Sequence, residues 1–190
     1  MGRKRKIYIL LTDTGTVLTR MIKFYTKKPY NHASIAFDAE LMEVYSFGRK
    51  KPKNSFIGGF VKENIDSPLF LQADCAIYSL TISIDEYKKM HQYIQEIASK
   101  KDHYHYNFIG LFGVLFKKPI KRKSAFFCSQ FVASVLKESN ISQFEQKDLS
   151  LIKPSDIIDL ADFQFVFEGK LEDYIDRNTM RIPCPFYYSV

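Results

Sequence analysis

Cys128 and His32 are two side chains whose types and settings could together support nucleophilic chemistry. Cys128 lies in the segment Phe126-Phe-Cys-Ser-Gln-Phe-Val132, where the spacing of apolar residues predicts the start of a helix. The unpaired amides and positive dipole end of a helix N-terminus favour thiolate over thiol and can hold a developing oxyanion. Cys128 is therefore the candidate nucleophile, and His32, at the start of a predicted strand, is the candidate general base.

The imidazole of a base also needs an acceptor for its second ring nitrogen. A hairpin is predicted after His32, with its turn near Ala39. Residues whose numbers sum to about 78 would then face each other, which pairs His32 with Ser46 and Ile35 with Glu43. This arithmetic leaves the acceptor open. The candidates are Glu43, Ser46, Asp38 and Glu40.

The remaining cysteines and histidines show no strong metal or disulfide pattern. Cys75, Cys128 and Cys184 are too widely spaced for a zinc knuckle or a redox dithiol. His103 and His105 have a spacing that could ligate a metal on a strand, but no third ligand accompanies them. We therefore expect no metal and no cofactor.

Hydrophobic periodicity predicts the elements that must position these side chains. Ser83-Ile-Asp-Glu86 has the spacing of a capping box before the second predicted helix. The stretch 104–116 is ambiguous between helix and loop because two glycines interrupt it, and 48–68 is predicted to be a loop. The predicted strands cover 7–11, 33–37, 41–47, 76–82, 163–167 and 171–175, the last two as a closing hairpin. The predicted helices cover 17–25, 85–99, a segment that begins near 127, and a short turn at 154–156.

Size and composition fit one folded domain over residues 1–190. The chain has 190 residues, with 46% hydrophobic and 26% charged, which argues against a disordered chain or a disulfide miniprotein. No apolar run approaches the length of a spanning helix, and the run 7–11 is too short for the core of a signal peptide. These features favour a cytoplasmic protein.

The formal charge of +7 is concentrated in three basic clusters, at 3–6, 49–53 and 117–123, while residues 138–190 are net acidic. Such clusters attract anionic substrates or surfaces, or simply keep a protein soluble. A basic non-catalytic module that binds nucleic acid or an anionic membrane surface is therefore an alternative to an enzyme, although nothing makes nucleic acid an obligatory partner. The sequence indicates no oligomeric state.

Three segments resemble the circularly permuted branch of the NlpC/P60 papain-like hydrolases, the group that includes YiiX-like and YycO-like bacterial proteins. They are Asn31-His-Ala-Ser-Ile-Ala-Phe-Asp38, Met42-Glu-Val-Tyr-Ser-Phe-Gly48 and Phe127-Cys-Ser-Gln-Phe-Val-Ala-Ser-Val135. In ordinary papain-like hydrolases the cysteine helix precedes the histidine strand, whereas here His32 precedes Cys128, as in the permuted members.

The resemblance implies an α+β papain-like fold, with a small antiparallel sheet packed against helices, and a Cys-His-polar triad. In that triad Cys128 is the nucleophile, His32 the general base and acid, and Glu43 the orienting residue. The implied activity is that of a cysteine hydrolase, a peptidase or amidase or an acyltransferase-like enzyme, acting through a thioacyl intermediate on a small peptide-like or lipid-like substrate.

The Cys128 backbone amide is the first expected oxyanion donor. The apolar cluster 108–116, just before the cysteine, could line a substrate pocket. Further candidates for oxyanion or substrate binding are Tyr30, Asn31, Ser129, Phe112 and Phe116.

Overall fold

Strands of the described chain form an antiparallel sheet of six and a separate parallel pair. The computed structural model describes residues 2–13, 15, 28–51, 54–107, 110, 118–120, 124–141 and 148–179. The strands are β1 (Lys4–Asp13), β2 (His32–Ala36), β3 (Val44–Lys51), β4 (Asn54–Lys62), β5 (Asp74–Ser83), β6 (His105–Tyr106), β7 (Ala125–Phe126) and β8 (Gln164–Lys170). In the large sheet their order is β4-β3-β2-β1-β5-β8, and β6 pairs with β7.

Helices lie between these strands and after them. Ser83 and Glu86 form the predicted capping box at the start of the second helix. Within the described residues, no helix is long and apolar enough to cross a membrane. The α-helices are α1 (Pro68–Leu71), α2 (Ile84–Ser99), α3 (Cys128–Glu138), α4 (Pro154–Ile158) and α5 (Leu171–Thr179), and a short 3₁₀ turn covers Leu149–Leu151.

The large sheet has a hydrophobic core on each face. Side chains alternate between the faces along a strand, so neighbouring residues of β1 enter different cores. Ile9 packs in the core that includes buried residues of α2 and α3, whereas Leu10 packs in the core that includes Phe70 of α1 and Leu171 of α5. Both sides of the sheet are therefore covered by helix, which confirms the predicted α+β class.

Helix α3 is almost entirely enclosed. Every residue from Cys128 to Leu136 is buried, and the helix contacts β2, β3 and α2. Four of its apolar residues have no exposed surface: Phe131, Val132, Val135 and Leu136. This enclosure fixes where the first turn of α3 lies relative to the start of β2.

Two predictions of secondary structure are wrong. The predicted loop 48–68 contains the end of β3, all of β4 and the first residue of α1. The predicted second strand of the closing hairpin, 171–175, is instead the start of α5, where Leu171, Tyr174 and Ile175 have helical spacing and two acids occupy the first turn. The predicted helix 17–25 lies outside the described residues, as does most of 104–116.

The predicted hairpin register is also offset. Strands β2 and β3 pair Ile35 with Tyr45 and Ala36 with Val44, so facing residues sum to 80. Glu43 therefore does not face Ile35. The backbone N–H of Phe37 instead bonds to the Glu43 carbonyl, at 3.1 Å, where the strands separate into the turn.

Two glycines of β4 allow the chain around β6 to approach closely. A Cβ at Gly58 would lie 2.8 Å from the Tyr106 Cβ and 3.0 Å from the Gly48 carbonyl oxygen. A Cβ at Gly59 would lie 3.1 Å from the Tyr104 carbonyl oxygen. The glycines that suggest a loop in the sequence therefore belong to a strand against which backbone packs, and they set the position of Tyr106.

We expect Gly58→Ala to destabilise the fold by about 1–3 kcal/mol, because the added methyl group overlaps Tyr106 and the backbone of Gly48. Urea denaturation measures the change in the free energy of unfolding. Gly2→Ala is the matched control, since no atom lies within 4 Å of its added Cβ. Equal stability of the two variants would show that the close approach of β6 to β4 is wrong.

Candidate active site

The sulfur of Cys128 lies at the N-terminus of α3, beside the start of β2. Cys128 is the first residue of the helix and is 4% exposed. Its side chain is hydrogen-bonded to His32 and accepts from the backbone N–H groups of Ala33 and Ser129. The predicted pair of Cys128 and His32 is therefore in contact, although 96 positions of sequence separate the two residues.

Burial alone would raise the pKa of the Cys128 thiol, because a buried thiolate loses its hydration. The hydrogen bond and positive charge of His32, together with the two backbone N–H donors, outweigh this desolvation and lower the pKa of Cys128. The dipole of α3 acts in the same direction. The site therefore favours the thiolate of Cys128 more than the surroundings of an ordinary cysteine do.

His32 is held as an imidazolium by two partners, Cys128 and Glu63. Burial would lower its pKa, but hydrogen bonds and charge from Cys128 and then from Glu63 raise it to about 10. The Nε2–H donates to Glu63 Oε1 at 3.0 Å, and Ser34 Oγ lies 3.3 Å from the same nitrogen. The ring is thus fixed between a thiolate and a carboxylate, and His32 remains protonated where an ordinary histidine is neutral.

Glu63, and not Glu43, is the carboxylate that meets His32. Glu63 follows the last residue of β4, and its backbone N–H bonds to the Val44 carbonyl at 2.9 Å. Its side chain is only 11% exposed, and Ser46 Oγ donates a short hydrogen bond to Oε1. The carboxylate is therefore fixed from two neighbouring strands.

The prediction that Glu43 orients His32 is wrong. Glu43 accepts a hydrogen bond from the Tyr45 hydroxyl at 2.8 Å and pairs with a different histidine, His91, at 3.4 Å. His91 packs on Phe37, with ring centroids 4.3 Å apart. Because Glu43 lies where β2 and β3 separate into their turn, its side chain reaches α2 rather than the start of β2.

Tyr106 is the second group that the sequence reasoning missed. Its hydroxyl is hydrogen-bonded to the Cys128 side chain and accepts from the Cys128 backbone N–H. Burial and the negative charge of Cys128 raise the pKa of Tyr106 well above its usual value. Tyr106 therefore keeps its proton and can donate a hydrogen bond at the point where the Cys128 N–H also lies.

Tyr30 and Asn31, the predicted candidates for a second oxyanion donor, are directed to other partners. The Tyr30 hydroxyl donates to Glu168 Oε1 at 2.6 Å, and Asn31 Nδ2 donates to Asp13 Oδ1 at 2.7 Å. These bonds connect the chain before β2 to β8 and β1, so both residues support the scaffold. These two bonds are not to the Cys128 site, and a role for either residue at an oxyanion stays a prediction.

Ser129 has a divided role. Its hydroxyl donates to the Ile152 carbonyl at 2.7 Å and so joins α3 to the segment before α4, whereas its backbone N–H faces the Cys128 sulfur. Phe112 and Phe116, the candidates for an apolar pocket, lie outside the described residues, as does Cys184. Among the described residues, no three His, Cys, Asp or Glu side chains are grouped to hold a metal ion.

The surroundings of Cys75 raise its pKa, whereas those of Cys128 lower the pKa of that thiol. Cys75 in β5 has no exposed surface, and desolvation followed by the charges of Asp74 and Glu168 raises its pKa to about 12. No histidine contributes to its environment. Cys75 is therefore an internal reference for an unactivated thiol.

The two glutamates that each meet a histidine provide a matched test. Glu63→Gln removes the charge that supports the His32 imidazolium, so the pKa of Cys128 should rise and the alkylation profile should move to higher pH. Glu43→Gln should leave the profile unchanged, because its histidine is His91. The measurement is the rate of iodoacetamide labelling at Cys128 across pH, read by peptide mass spectrometry.

Cys75 should remain unlabelled throughout this titration. The assignment of the acceptor would be refuted if Glu43→Gln moved the Cys128 profile and Glu63→Gln did not.

Comparisons of the chain with protein-family models, with curated proteins and with solved structures found no match.

Proposed function

We propose that this protein is a cysteine hydrolase or acyl-transferring enzyme, with Cys128 as its nucleophile. The observation that carries the proposal is the hydrogen bond between Cys128 and His32, together with the hydrogen bond between His32 Nε2 and Glu63. A lowered thiol pKa and a raised imidazole pKa in one buried pair are the electrostatic requirements of an activated cysteine nucleophile. No metal is needed for this chemistry.

The reaction begins with the Cys128 thiolate attacking a carbonyl carbon. His32 carries the proton that came from the thiol and delivers it to the leaving amine or alcohol as the tetrahedral intermediate collapses to a thioester. Neutral His32 then takes a proton from water or from an acceptor nucleophile, which attacks the thioester. Glu63 does not enter these bonds; it holds the ring orientation and stabilises the imidazolium.

The oxyanion of the tetrahedral intermediate is assigned to the Cys128 backbone N–H and the Tyr106 hydroxyl. Both groups lie at the N-terminus of α3, next to the sulfur. Because the pKa of Tyr106 is raised, its hydroxyl remains a donor as negative charge develops on the oxygen. In the described structure the Cys128 N–H donates to the Tyr106 oxygen and the Tyr106 hydroxyl is bonded to the Cys128 side chain. Both donors therefore exchange these partners for the oxyanion as it forms.

The order of the elements supports a permuted papain-like arrangement. The strand that begins with His32 precedes the helix that begins with Cys128, and that helix packs directly against β2 and β3 of an antiparallel sheet. We accordingly place the substrate among peptide-like or lipid-like compounds with an amide, ester or thioester carbonyl. The site geometry favours this enzyme over a purely basic binding module, because surface charge alone does not require a buried thiolate–imidazolium pair.

Acylation by p-nitrophenyl acetate tests the proposal without knowledge of the natural substrate. The expected result is a stoichiometric burst of nitrophenolate and an acetyl group on Cys128, detected by peptide mass spectrometry; Cys128→Ala abolishes both. Tyr106→Phe should slow acylation by about 10²-fold, the usual cost of losing one oxyanion donor.

Tyr93→Phe is the matched control for the tyrosine, since Tyr93 lies in α2 and its hydroxyl contacts Ser134 rather than Cys128. Acetylation confined to lysines, or a rate unaffected by Tyr106→Phe, would contradict the proposed mechanism.

A further inference from the structure

Ser46 contacts the carboxylate that supports the catalytic histidine. It lies in β3 and has no exposed surface. Its hydroxyl donates to Glu63 Oε1, the same oxygen that accepts from His32 Nε2. One carboxylate oxygen therefore connects a serine of β3 with the imidazole of β2.

The register of the sheet brings a second buried hydroxyl to this place. Strands β2 and β3 pair Ile35 with Tyr45, so Ser34 and Ser46 come next in line on the two strands. Ser34 is also completely buried, and its Oγ lies 3.3 Å from His32 Nε2. Two buried hydroxyl groups of the sheet therefore flank the hydrogen bond between the His32 imidazole and the Glu63 carboxylate.

Gly48 leaves room for this arrangement. A Cβ at Gly48 would lie 3.1 Å from Ser46 Oγ and 3.2 Å from Glu63 Oε1, closer than nearly all real contacts of that kind. The lack of a side chain at this position lets the Glu63 carboxylate occupy the site beside Ser46. Two residues of β3 therefore define where the Glu63 carboxylate lies.

We propose that Ser46 is a positioning residue, which acts on Cys128 through Glu63 and His32. This inference rests on the proposed function of the Cys128–His32 pair. A glutamate side chain has several rotatable bonds, and a hydrogen bond from a buried hydroxyl both restricts them and stabilises the ionised carboxylate. The ionised, fixed carboxylate in turn keeps His32 protonated beside the thiolate.

Within the part of the protein that the structure describes, the hydrogen bonds that lead from Ser46 to the Cys128 sulfur involve titratable groups from four elements or their ends. They are His32 at the start of β2, Glu63 after β4, Cys128 at the start of α3 and Tyr106 in β6. Ser46 does not titrate, so its effect on the pH profile of Cys128 must pass through one of them. A purely structural serine would change stability without moving that profile.

The test measures iodoacetamide labelling of Cys128 across pH in the full-length chain. In Ser46→Ala the labelling rate should rise at higher pH than in the wild type, and at pH 6 it should be about threefold lower. The reason is that the variant loses the hydrogen bond to the Glu63 carboxylate, and part of that loss is transmitted through His32 to Cys128. Ser139→Ala is the matched control: it also removes a buried hydroxyl donor, to the Leu136 carbonyl, but at the far end of α3. An unchanged profile in Ser46→Ala overturns the inference.

Gly48→Ala is a second variant that leaves both hydrogen-bonding groups in place. The added methyl group should displace the Glu63 carboxylate and shift the profile in the same direction as Ser46→Ala. If Ser46→Ala does not fold, Gly48→Ala decides the inference, and a wild-type profile in this variant refutes it.

Failure of the proposed function gives a different result. In that case wild-type Cys128 itself labels with the profile of an ordinary thiol, and no variant shifts it. An activated wild-type thiol with no response to Ser46→Ala or Gly48→Ala refutes only the positioning role.

Discussion

The hydrogen bond between Cys128 and His32 is the interaction around which the described structure is organised. It joins the first residue of a helix to the first residue of a strand. At both positions the secondary structure holds the backbone in place. Cys128 is buried and the His32 side chain is only 13% exposed, so desolvation alone would favour the neutral form of each. Their contact makes the charged pair favourable in a place where water cannot stabilise it.

This pair sets requirements for everything near it. A buried imidazolium needs a second anionic or polar partner, which the end of β4 supplies as Glu63. A buried thiolate needs donors, which come from the backbone of β2 and from α3. The enclosure of α3 between the sheet and α2 keeps the sulfur from moving away from these partners. The same burial that raises the pKa of Cys75 is thus overcome at Cys128 by contacts that Cys75 lacks.

Local patterns in the sequence were sufficient to select Cys128 and His32 as a candidate pair, and the structure brings them into contact. Cys128 could be assigned to a helix start, and His32 to a strand start, from residues within a few positions of each. The other two residues of the candidate site, Glu63 and Tyr106, depend on contacts between segments that are distant in sequence. Glu63 follows a strand whose two glycines suggest a loop, because the close packing of Tyr104 and Tyr106 against Gly58 and Gly59 is not visible in the sequence.

The choice of Glu43 came from the family resemblance, because neither the predicted nor the observed hairpin register places Glu43 opposite His32. A shift of two in the sum of facing residues moves Glu43 into the turn, toward His91, and brings Ser46 in line with Ser34. Turn length alone does not determine this register, because side chains from α2 and β4 decide which residues can be buried. Tyr106 could not be found from a motif, since only the approach of β6 to the N-terminus of α3 gives it a role.

Histidine NMR measures the charged pair most directly. With nitrogen-15 in the imidazole rings, the chemical shifts of His32 report whether both ring nitrogens carry protons at each pH. The account predicts that His32 stays an imidazolium through neutral pH and titrates near 10, and that its pKa falls in Cys128→Ala, where the thiolate is missing. A His32 that titrates near 6.5, with or without the Cys128 sulfur, would contradict the account.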